Sequence, residues 1–255
     1  MRFVSTAVLC FLLTLAYAGC RGPHGDGDTL YQVSTIDALL TGEYDGAVSV
    51  AELQKHGQVG LGTFDGLDGE MIAVDGRFYQ VRVDGHAYQA SERVTVPFAA
   101  VTRFETDEEM RLRSIESFEE LAQVLDNSIS SPNAVYAIRI EGEFEYVRAR
   151  SVPRQGRPYR PLAEVVEEQK SFPFRSVRGT MVGFRCPEAL RGVNVPGYHL
   201  HFVNATRTRG GHVLDCRIKE AVVHLDYTDE VHVTLPHTKA FRASVGSGDM
   251  EKVER

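Results

Sequence analysis

Three histidines are spaced so that their imidazoles could meet at one point. His199 and His201 are two residues apart in the apolar run 197–203, and side chains two apart on a β-strand leave the same face. His212 follows a polar loop and Gly210-Gly211. A symmetric hairpin over that loop pairs His201 with His212, and the Cβ atoms of such a pair lie about 5 Å apart.

Three neutral imidazoles without a fourth protein ligand are typical of a catalytic divalent metal site, because the vacant position admits water or substrate. Zinc is the default ion for nitrogen ligands in an exported protein, while iron, manganese and nickel stay open. The competing interpretation is that strand histidines are surface or core residues held by hydrogen bonds, which is the commoner case for a lone H-x-H. His212 after a short loop favours the metal.

Two charged residues stand inside or beside apolar strand patterns. Arg139 interrupts the run 135–140, and a buried guanidinium there would need a carboxylate or an anionic ligand. Glu70 opens the apolar run 70–74 after a turn-rich segment. Without further evidence, an arginine placed like Arg139 is more often the partner of a salt bridge, and a glutamate placed like Glu70 is more often a solvated carboxylate at the end of a strand.

The elements that must position these residues are mostly strands. Apolar or alternating runs predict strands at 70–74, 77–83, 134–140, 144–152, 177–184, 198–203, 212–225 and 231–235. Asp75-Gly76 predicts a tight hairpin between the first two, and Glu141-Gly142 a similar reversal before Phe144. Helical periodicity is clearest over 114–124, with Ser114 as a candidate N-cap. Pro153 to Pro161 forms a break, which indicates a boundary near residue 155.

The chain is an ordinary globular sequence behind an export signal. Its 255 residues hold 28 Lys+Arg and 35 Asp+Glu, a net charge of −7 that gives no reason to expect a nucleic-acid partner. Residues 1–19 have the order of a secretory signal, and 20–28 form a polar tether. Lipid attachment at Cys20 and plain secretion both stay open, as do pairing and non-pairing of Cys186 with Cys216.

Four ordered blocks carry a resemblance to a known family. They are Gly62-Thr63-Phe64-Asp65-Gly66-Leu67-Asp68-Gly69-Glu70, Tyr136-Ala137-Ile138-Arg139-Ile140-Glu141-Gly142, Val177-Arg178-Gly179-Thr180, and Gly197-Tyr198-His199-Leu200-His201-Phe202 with Gly210-Gly211-His212-Val213. The sequence resembles α-acetolactate decarboxylases over almost all of its mature length. The resemblance implies an α+β fold of two β-rich domains with few helices, expected at 29–155 and 156–255, and the metal site on strands of the second.

The resemblance also implies a reaction and its residues. The expected activity is zinc-dependent conversion of 2-acetolactate, a 2-hydroxy-3-keto acid, to (R)-acetoin and carbon dioxide without an organic cofactor. The family's metal ligands fall on His199, His201 and His212, its active-site arginine on Arg139 and its first glutamate on Glu70. A second glutamate from the C-terminal segment falls on Glu254, with Glu251 in reserve. A homodimer stays open.

The chemistry expected of these residues is electrostatic. The ion would polarise the substrate carbonyl and stabilise a metal-bound enediolate. Arg139 would hold the substrate carboxylate, and Glu70 or Glu254 would deliver a proton.

Two other functions fit part of the pattern. A cupin-like metal oxygenase also uses an H-x-H strand, but Asn204 and Ala205 stand where its glutamate is expected. A non-catalytic exported protein could hold a structural ion with the same histidines. A Ser-His-Asp hydrolase has little support, because no G-x-S-x-G motif is present.

Overall fold

The computed structural model describes residues 28–238, 241–242 and 250–253. In chain order the strands are β1 (Thr29–Val33), β2 (Val48–Ser49), β3 (Val59–Thr63), β4 (Glu70–Val74), β5 (Arg77–Val81), β6 (Ala87–Gln89), β7 (Thr95–Val96), β8 (Phe98–Thr102), β9 (Glu108–Ile115), β10 (Val135–Ser151), β11 (Lys170–Cys186), β12 (Gly197–Asn204), β13 (Gly210–Thr228) and β14 (Glu230–Thr234). The helices are α1 (Ile36–Leu40), α2 (Val50–His56), α3 (Phe118–Asp126) and α4 (Leu162–Val165), with single 3₁₀ turns at Val166–Glu168 and Glu188–Leu190. The predicted signal (1–19), Cys20 and nearly all of the tether lie outside the described residues.

Two large sheets dominate the described chain, and a two-stranded sheet joins β2 and β7. The first sheet has the order β14-β1-β8-β3-β4-β5-β6, and its strands are antiparallel except for the pair β1 and β14. The second has the order β10-β11-β12-β13-β9, and β10 also pairs with β13. Strands β10 to β13 therefore close on themselves. This mostly β architecture with few helices confirms the predicted fold class.

The two sheets pack against each other through aliphatic side chains. Ile72 and Val81 from the first sheet share a buried cluster with Val182 and Val203 from the second. A separate core lies between the second sheet and α3, which contributes Leu121 and Leu125. Burial of this kind stabilises by about 25 cal/mol per Å² of apolar surface. It also fixes β4 against β12, which matters for the site.

The predicted boundary near residue 155 does not separate the two sheets. Residue 155 lies between β10 and β11, which pair along their length from Tyr136 opposite Arg185 to Ser151 opposite Lys170. Along the chain, the change from the first sheet to the second comes between β8 and β9, and β14 then returns to the first sheet. The proline-rich break at 153–161 is therefore a connection inside one sheet.

The Asp75-Gly76 prediction is confirmed and the Glu141-Gly142 prediction is wrong. Val74 pairs with Arg77 across a turn in which Asp75 and Gly76 have φ of 53° and 72°, as a two-residue hairpin requires. By contrast, β10 runs through Gly142 without reversing. A Cβ on Gly142 would stand 2.2 Å from the Glu220 carbonyl oxygen, so the glycine allows close strand packing.

The helix predicted over 114–124 begins later, at Phe118. Ser117 is its N-cap, and its hydroxyl accepts a hydrogen bond from the Glu120 N–H at 3.1 Å. Ser114 belongs to β9 and has φ of 53°. The apolar spacing located the helix correctly, but its N-cap is Ser117, because Ser114 is part of β9, which pairs with β13 as far as Ile115.

Cys186 and Cys216 do not pair with each other. Both thiols are buried and free, and they lie in different apolar clusters. Burial raises the pKa of each thiol to about 12, which keeps them protonated and unreactive. Among the described helices, none has the length and apolar character needed to cross a bilayer.

Asp226 provides a test of how this core responds to pH. Its side chain is fully buried on β13, Oδ2 accepts the Glu105 N–H at 3.2 Å, and Oδ1 has no hydrogen-bond partner among the described residues. Burial raises the pKa of this carboxyl to about 8. Because the folded-state pKa exceeds that of the unfolded chain, the stabilising contribution is complete below about pH 4 and is lost as the pH rises through 8.

We therefore expect Asp226→Asn to flatten the dependence of stability on pH. Between pH 5 and pH 8 the wild-type free energy of unfolding should fall by on the order of 4 kcal/mol more than that of the variant. Urea unfolding of both proteins at the two pH values measures this difference. Parallel curves would contradict the assignment of a buried, protonated Asp226.

Candidate metal centre

The structure brings His199, His201 and His212 together between the two sheets. His201 on β12 lies directly opposite His212 on β13, as the symmetric hairpin predicts. The ring centroids are 5.0 to 5.3 Å apart, and one nitrogen from each ring lies within 4.8 Å of the others. The exposed fractions are 8%, 1% and 2% in chain order. Three imidazoles thus face one enclosed point.

The glycines before His212 are required by close backbone packing. A Cβ on Gly211, which has φ of 148°, would stand 2.4 Å from the Arg150 carbonyl oxygen. A Cβ on Gly210 would stand 2.1 Å from the Phe202 carbonyl oxygen. No side chain fits at either position, so the Gly-Gly pair lets β13 approach β10 and β12 closely enough to deliver His212.

The ring nitrogens suit a metal. His201 Nδ1 donates to the Met71 carbonyl oxygen at 2.8 Å, which leaves Nε2 as the lone-pair nitrogen. That Nε2 and Nδ1 of His199 are buried without a hydrogen-bond partner among the described residues. Buried polar atoms are seldom left unsatisfied, and a divalent cation would satisfy them. The donor set therefore fits a metal ion.

The histidines are also in the protonation state that metals require. Burial, with a smaller effect from the Arg150 charge, lowers the pKa of His199 to about 3. Burial likewise lowers the pKa of His201 and of His212 well below the usual histidine value. All three are neutral near pH 7, and neutral imidazole is the ligand form.

Glu70 and Arg150 form a buried ion pair beside the triad. Arg150 Nη1 donates to Glu70 Oε1 at 3.1 Å, and the other carboxylate oxygen lies 3.6 Å from His201 Nε2. Arg150 also sits directly opposite His212 in the β10–β13 register. Its Nη2 donates to the Val253 carbonyl oxygen at 3.1 Å, while Nε is buried without a partner among the described residues.

Arg150, and not Arg139, is the guanidinium beside the triad. Arg139 instead donates to Asp75 at 2.7 Å and to Glu141 at 2.8 Å. Asp75 also accepts from Arg207 at 3.3 Å, so these groups join the β4–β5 turn to the second sheet. We call Asp75, Arg139 and Arg207 the hairpin clamp. The carboxylate partner foreseen for a buried Arg139 is therefore present, but it is structural.

Sequence reasoning missed Arg150 because its surroundings look like an exposed strand face. Arg148-Ala149-Arg150 alternates charged and small residues, which usually marks a solvated strand. Only the register that places Arg150 opposite His212 distinguishes it. Glu254 lies outside the described residues, and Glu251 is exposed and does not line the cavity at the triad.

A cavity of about 40 Å³ adjoins the triad. Its polar lining is the three histidines with Glu70, Arg150 and Thr63, and its apolar lining includes Ile36, Leu39, Phe98, Leu162 and Val253. Thr63 is fixed because its hydroxyl donates to the Gly69 carbonyl oxygen at 2.7 Å. The site thus combines a cation site, a fixed positive charge, a carboxyl group and apolar walls that suit small alkyl groups.

Comparisons with known proteins agree on one family. Residues 30–245 match the family model Alpha-acetolactate decarboxylase. An alpha-acetolactate decarboxylase of Methanosarcina mazei is 51% identical over 232 residues, 89% of this chain and 81% of the relative. One from Methylococcus capsulatus is 44% identical over 83% of this chain and 82% of the relative. The crystal structure of the Bacillus subtilis alpha-acetolactate decarboxylase superposes with a TM-score of 0.86 at 38% identity, covering 89% of this chain and 99% of that one.

Proposed function

Because this chain belongs to the alpha-acetolactate decarboxylase family, we propose that it converts 2-acetolactate to (R)-acetoin and carbon dioxide with a divalent metal on His199, His201 and His212. Zinc is the ion that this donor set favours. Neither the identity of the metal nor the enediolate pathway follows from family membership, so both belong to the proposal. The observation that carries it is a buried triad of neutral imidazoles next to the Glu70–Arg150 pair.

The reaction breaks one carbon–carbon bond and moves one proton. The bond between the carboxylate and C2 breaks, its electron pair becomes the C2–C3 double bond of an enediolate, and carbon dioxide leaves. A proton delivered to C2 then gives acetoin. A metal ion on the three imidazoles would supply Lewis acidity at the substrate's hydroxyl and carbonyl oxygens.

Arg150 is placed to bind the substrate carboxylate. Its Nε is buried and has no hydrogen-bond partner among the described residues, whereas both Nη atoms are engaged. A guanidinium held in this way binds a carboxylate strongly and keeps its orientation. The contacts to Glu70 and Val253 thus fix Arg150 in one position.

Glu70 is placed to carry the proton. It is 6% exposed and lies between Arg150 and His201, within reach of a substrate bound at the triad. A positioned carboxyl group contributes roughly 10²- to 10⁴-fold to such a transfer. Glu254 remains the second candidate for this role. Delivery of the proton from one fixed carboxyl group to one face of C2 would give a single acetoin enantiomer.

The experiment that tests the proposal measures acetoin from racemic 2-acetolactate with the purified chain. We expect one acetoin enantiomer, loss of activity with chelator, recovery with added zinc, and roughly one metal ion per chain. Bound metal without acetoin would overturn the decarboxylase and leave a non-catalytic metal protein. Oxygen consumption with substrate would instead support the cupin-like oxygenase, which family membership disfavours.

We also propose that the protein is exported, on the strength of the signal pattern in residues 1–19. Fractionation of the source cells followed by mass measurement of the N-terminus tests this. A mature chain beginning at Gly19 indicates plain secretion, a lipid-modified Cys20 indicates anchoring, and an uncleaved cytosolic chain contradicts export.

A further inference from the structure

A groove of about 480 Å³ lies next to the cavity at the triad. Its lining includes Arg148, Pro196, Tyr198, Val213 and Met250. We call it the outer groove. The cavity itself measures only about 40 Å³, and each water needs at least about 10–15 Å³ measured in this way. The outer groove is therefore much the larger of the two spaces.

Four chain segments contribute residues to both spaces, so the outer groove and the cavity border the same stretches of chain. The pairs, with the groove residue first, are Tyr198 and His199, Val213 and His212, Arg148 and Arg150, and Met250 and Val253. Tyr198 and Val213 are strand neighbours of His199 and His212 and therefore leave the opposite face from the triad, whereas Arg148 and Arg150 leave one face. His199 is also the most exposed member of the triad, at 8% against 1% and 2% for the others.

Arg148 has no hydrogen bond or ion pair with any residue that the structure describes, although it is half-buried. The carboxylate nearest in register, Asp215, accepts the backbone N–H groups of Phe118 and Cys216. The other arginine of the groove, Arg191, donates to Glu188 at 2.5 and 3.0 Å. Arg148 therefore retains a guanidinium that can bind an anion.

Arg148 and Arg150 lie on the same face of β10. They are two residues apart, and the pairing of β10 with β11 is unbroken between them, although the pairing of β10 with β13 shifts by one residue after Arg148. Their Cα atoms are therefore separated by about 6.6 Å. A carboxylate bound at Arg148 would therefore have only a short distance to move to reach Arg150. The walls formed by Pro196, Val213 and Met250 suit the methyl groups of a small keto acid.

From these observations we infer that the outer groove is a docking site for the anionic substrate, in which Arg148 binds the carboxylate before it passes to Arg150. The inference rests on the proposed decarboxylation, because it needs a substrate with a carboxylate. Arg148 is a binding residue in this scheme and takes no part in bond breaking. Glu119 and Glu251 line the same groove with the opposite charge, so they should oppose docking.

The test compares two arginine variants of equal charge change. Arg148→Gln should raise KM and lower kcat/KM about tenfold, the effect of losing one hydrogen bond between charged groups, while kcat stays unchanged. Arg175→Gln is the matched control, because Arg175 is exposed on β11 and stacks over Tyr146 away from the groove. It should leave both constants unchanged. Arg148→Lys should keep most of the wild-type kcat/KM.

Two further measurements distinguish a binding role of Arg148 from a purely structural role. They are the dependence of KM on ionic strength and the effect of removing the negative charge of Glu119. Wild-type KM should rise with ionic strength more steeply than that of Arg148→Gln, and Glu119→Gln should raise kcat/KM. If Arg148→Gln does not fold, Arg148→Lys and Glu119→Gln carry the same test. Unchanged constants and salt dependence in folded Arg148 variants, with active wild type, overturn the docking site alone. An inactive wild type that binds zinc overturns the proposed function, and the docking site with it.

Discussion

Arg150→Gln is expected to lower kcat/KM by about 10²- to 10³-fold, the usual cost of removing one preorganised donor from an active site. The bound metal should remain, because Arg150 is not one of the three ligands. The loss has two causes in the structure. The substrate carboxylate loses its guanidinium, and Glu70, 6% exposed, loses the cation that balances its charge. Steady-state kinetics and metal analysis of the same preparation measure both effects.

The matched control is Arg139→Gln, on the same strand. The Arg139 guanidinium is 21% exposed and belongs to the hairpin clamp. Because its partners are partly exposed carboxylates, the variant should lose about 1 kcal/mol of stability or less, with kcat/KM within about threefold of wild type. Equal losses of kcat/KM in both variants would show that Arg150 contributes no more to the reaction than Arg139 does.

His201→Ala is expected to abolish both metal binding and turnover. Even partners of metal ligands typically contribute 10- to 100-fold to affinity, so removal of a ligand should weaken binding by more than about 100-fold. His224→Ala is the control, since His224 lies on β13 beside Glu109 at 3.8 Å and outside the triad. Competition titration with a chelating dye gives both affinities. Stoichiometric, tightly held metal in His201→Ala would remove His201 from the ligand set.

The same variant should lose a thermodynamic effect of the metal. A metal that binds only the folded chain adds about 4 kcal/mol to the free energy of unfolding at a thousand times its Kd. Wild type and His224→Ala should both show this gain on adding zinc, and His201→Ala should not. Chemical denaturation with and without zinc provides the measurement.

The triad was predictable because it depends on local rules. Side-chain alternation on a strand puts His199 and His201 on one face, and a short hairpin brings His212 opposite. Both rules hold in the structure. Glu70 at the start of β4 and the turn at Asp75-Gly76 were accessible for the same reason.

Arg150 was not predictable from local rules. Its location depends on how β10 pairs with β13 over many residues, and Arg139 offered a more conspicuous pattern on the same strand. The reversal predicted at Glu141-Gly142 was wrong for a similar reason, because a sequence does not distinguish a glycine needed for close strand contact from one needed for a turn. The proline break at 153–161 likewise marked a change of direction without a change of sheet.

The pairing of β10 with β13 also determines which changes in length this chain can tolerate. If the register of Tyr146 opposite Arg217 continued, Arg150 would face Val213; an irregularity at Leu214 brings it opposite His212. A one-residue shift in a strand turns every following side chain to the other face, and bulges are the usual means of controlling it. Along this stretch, therefore, loss or gain of a single codon would turn Arg150 away from the histidines even if every residue of the site were retained.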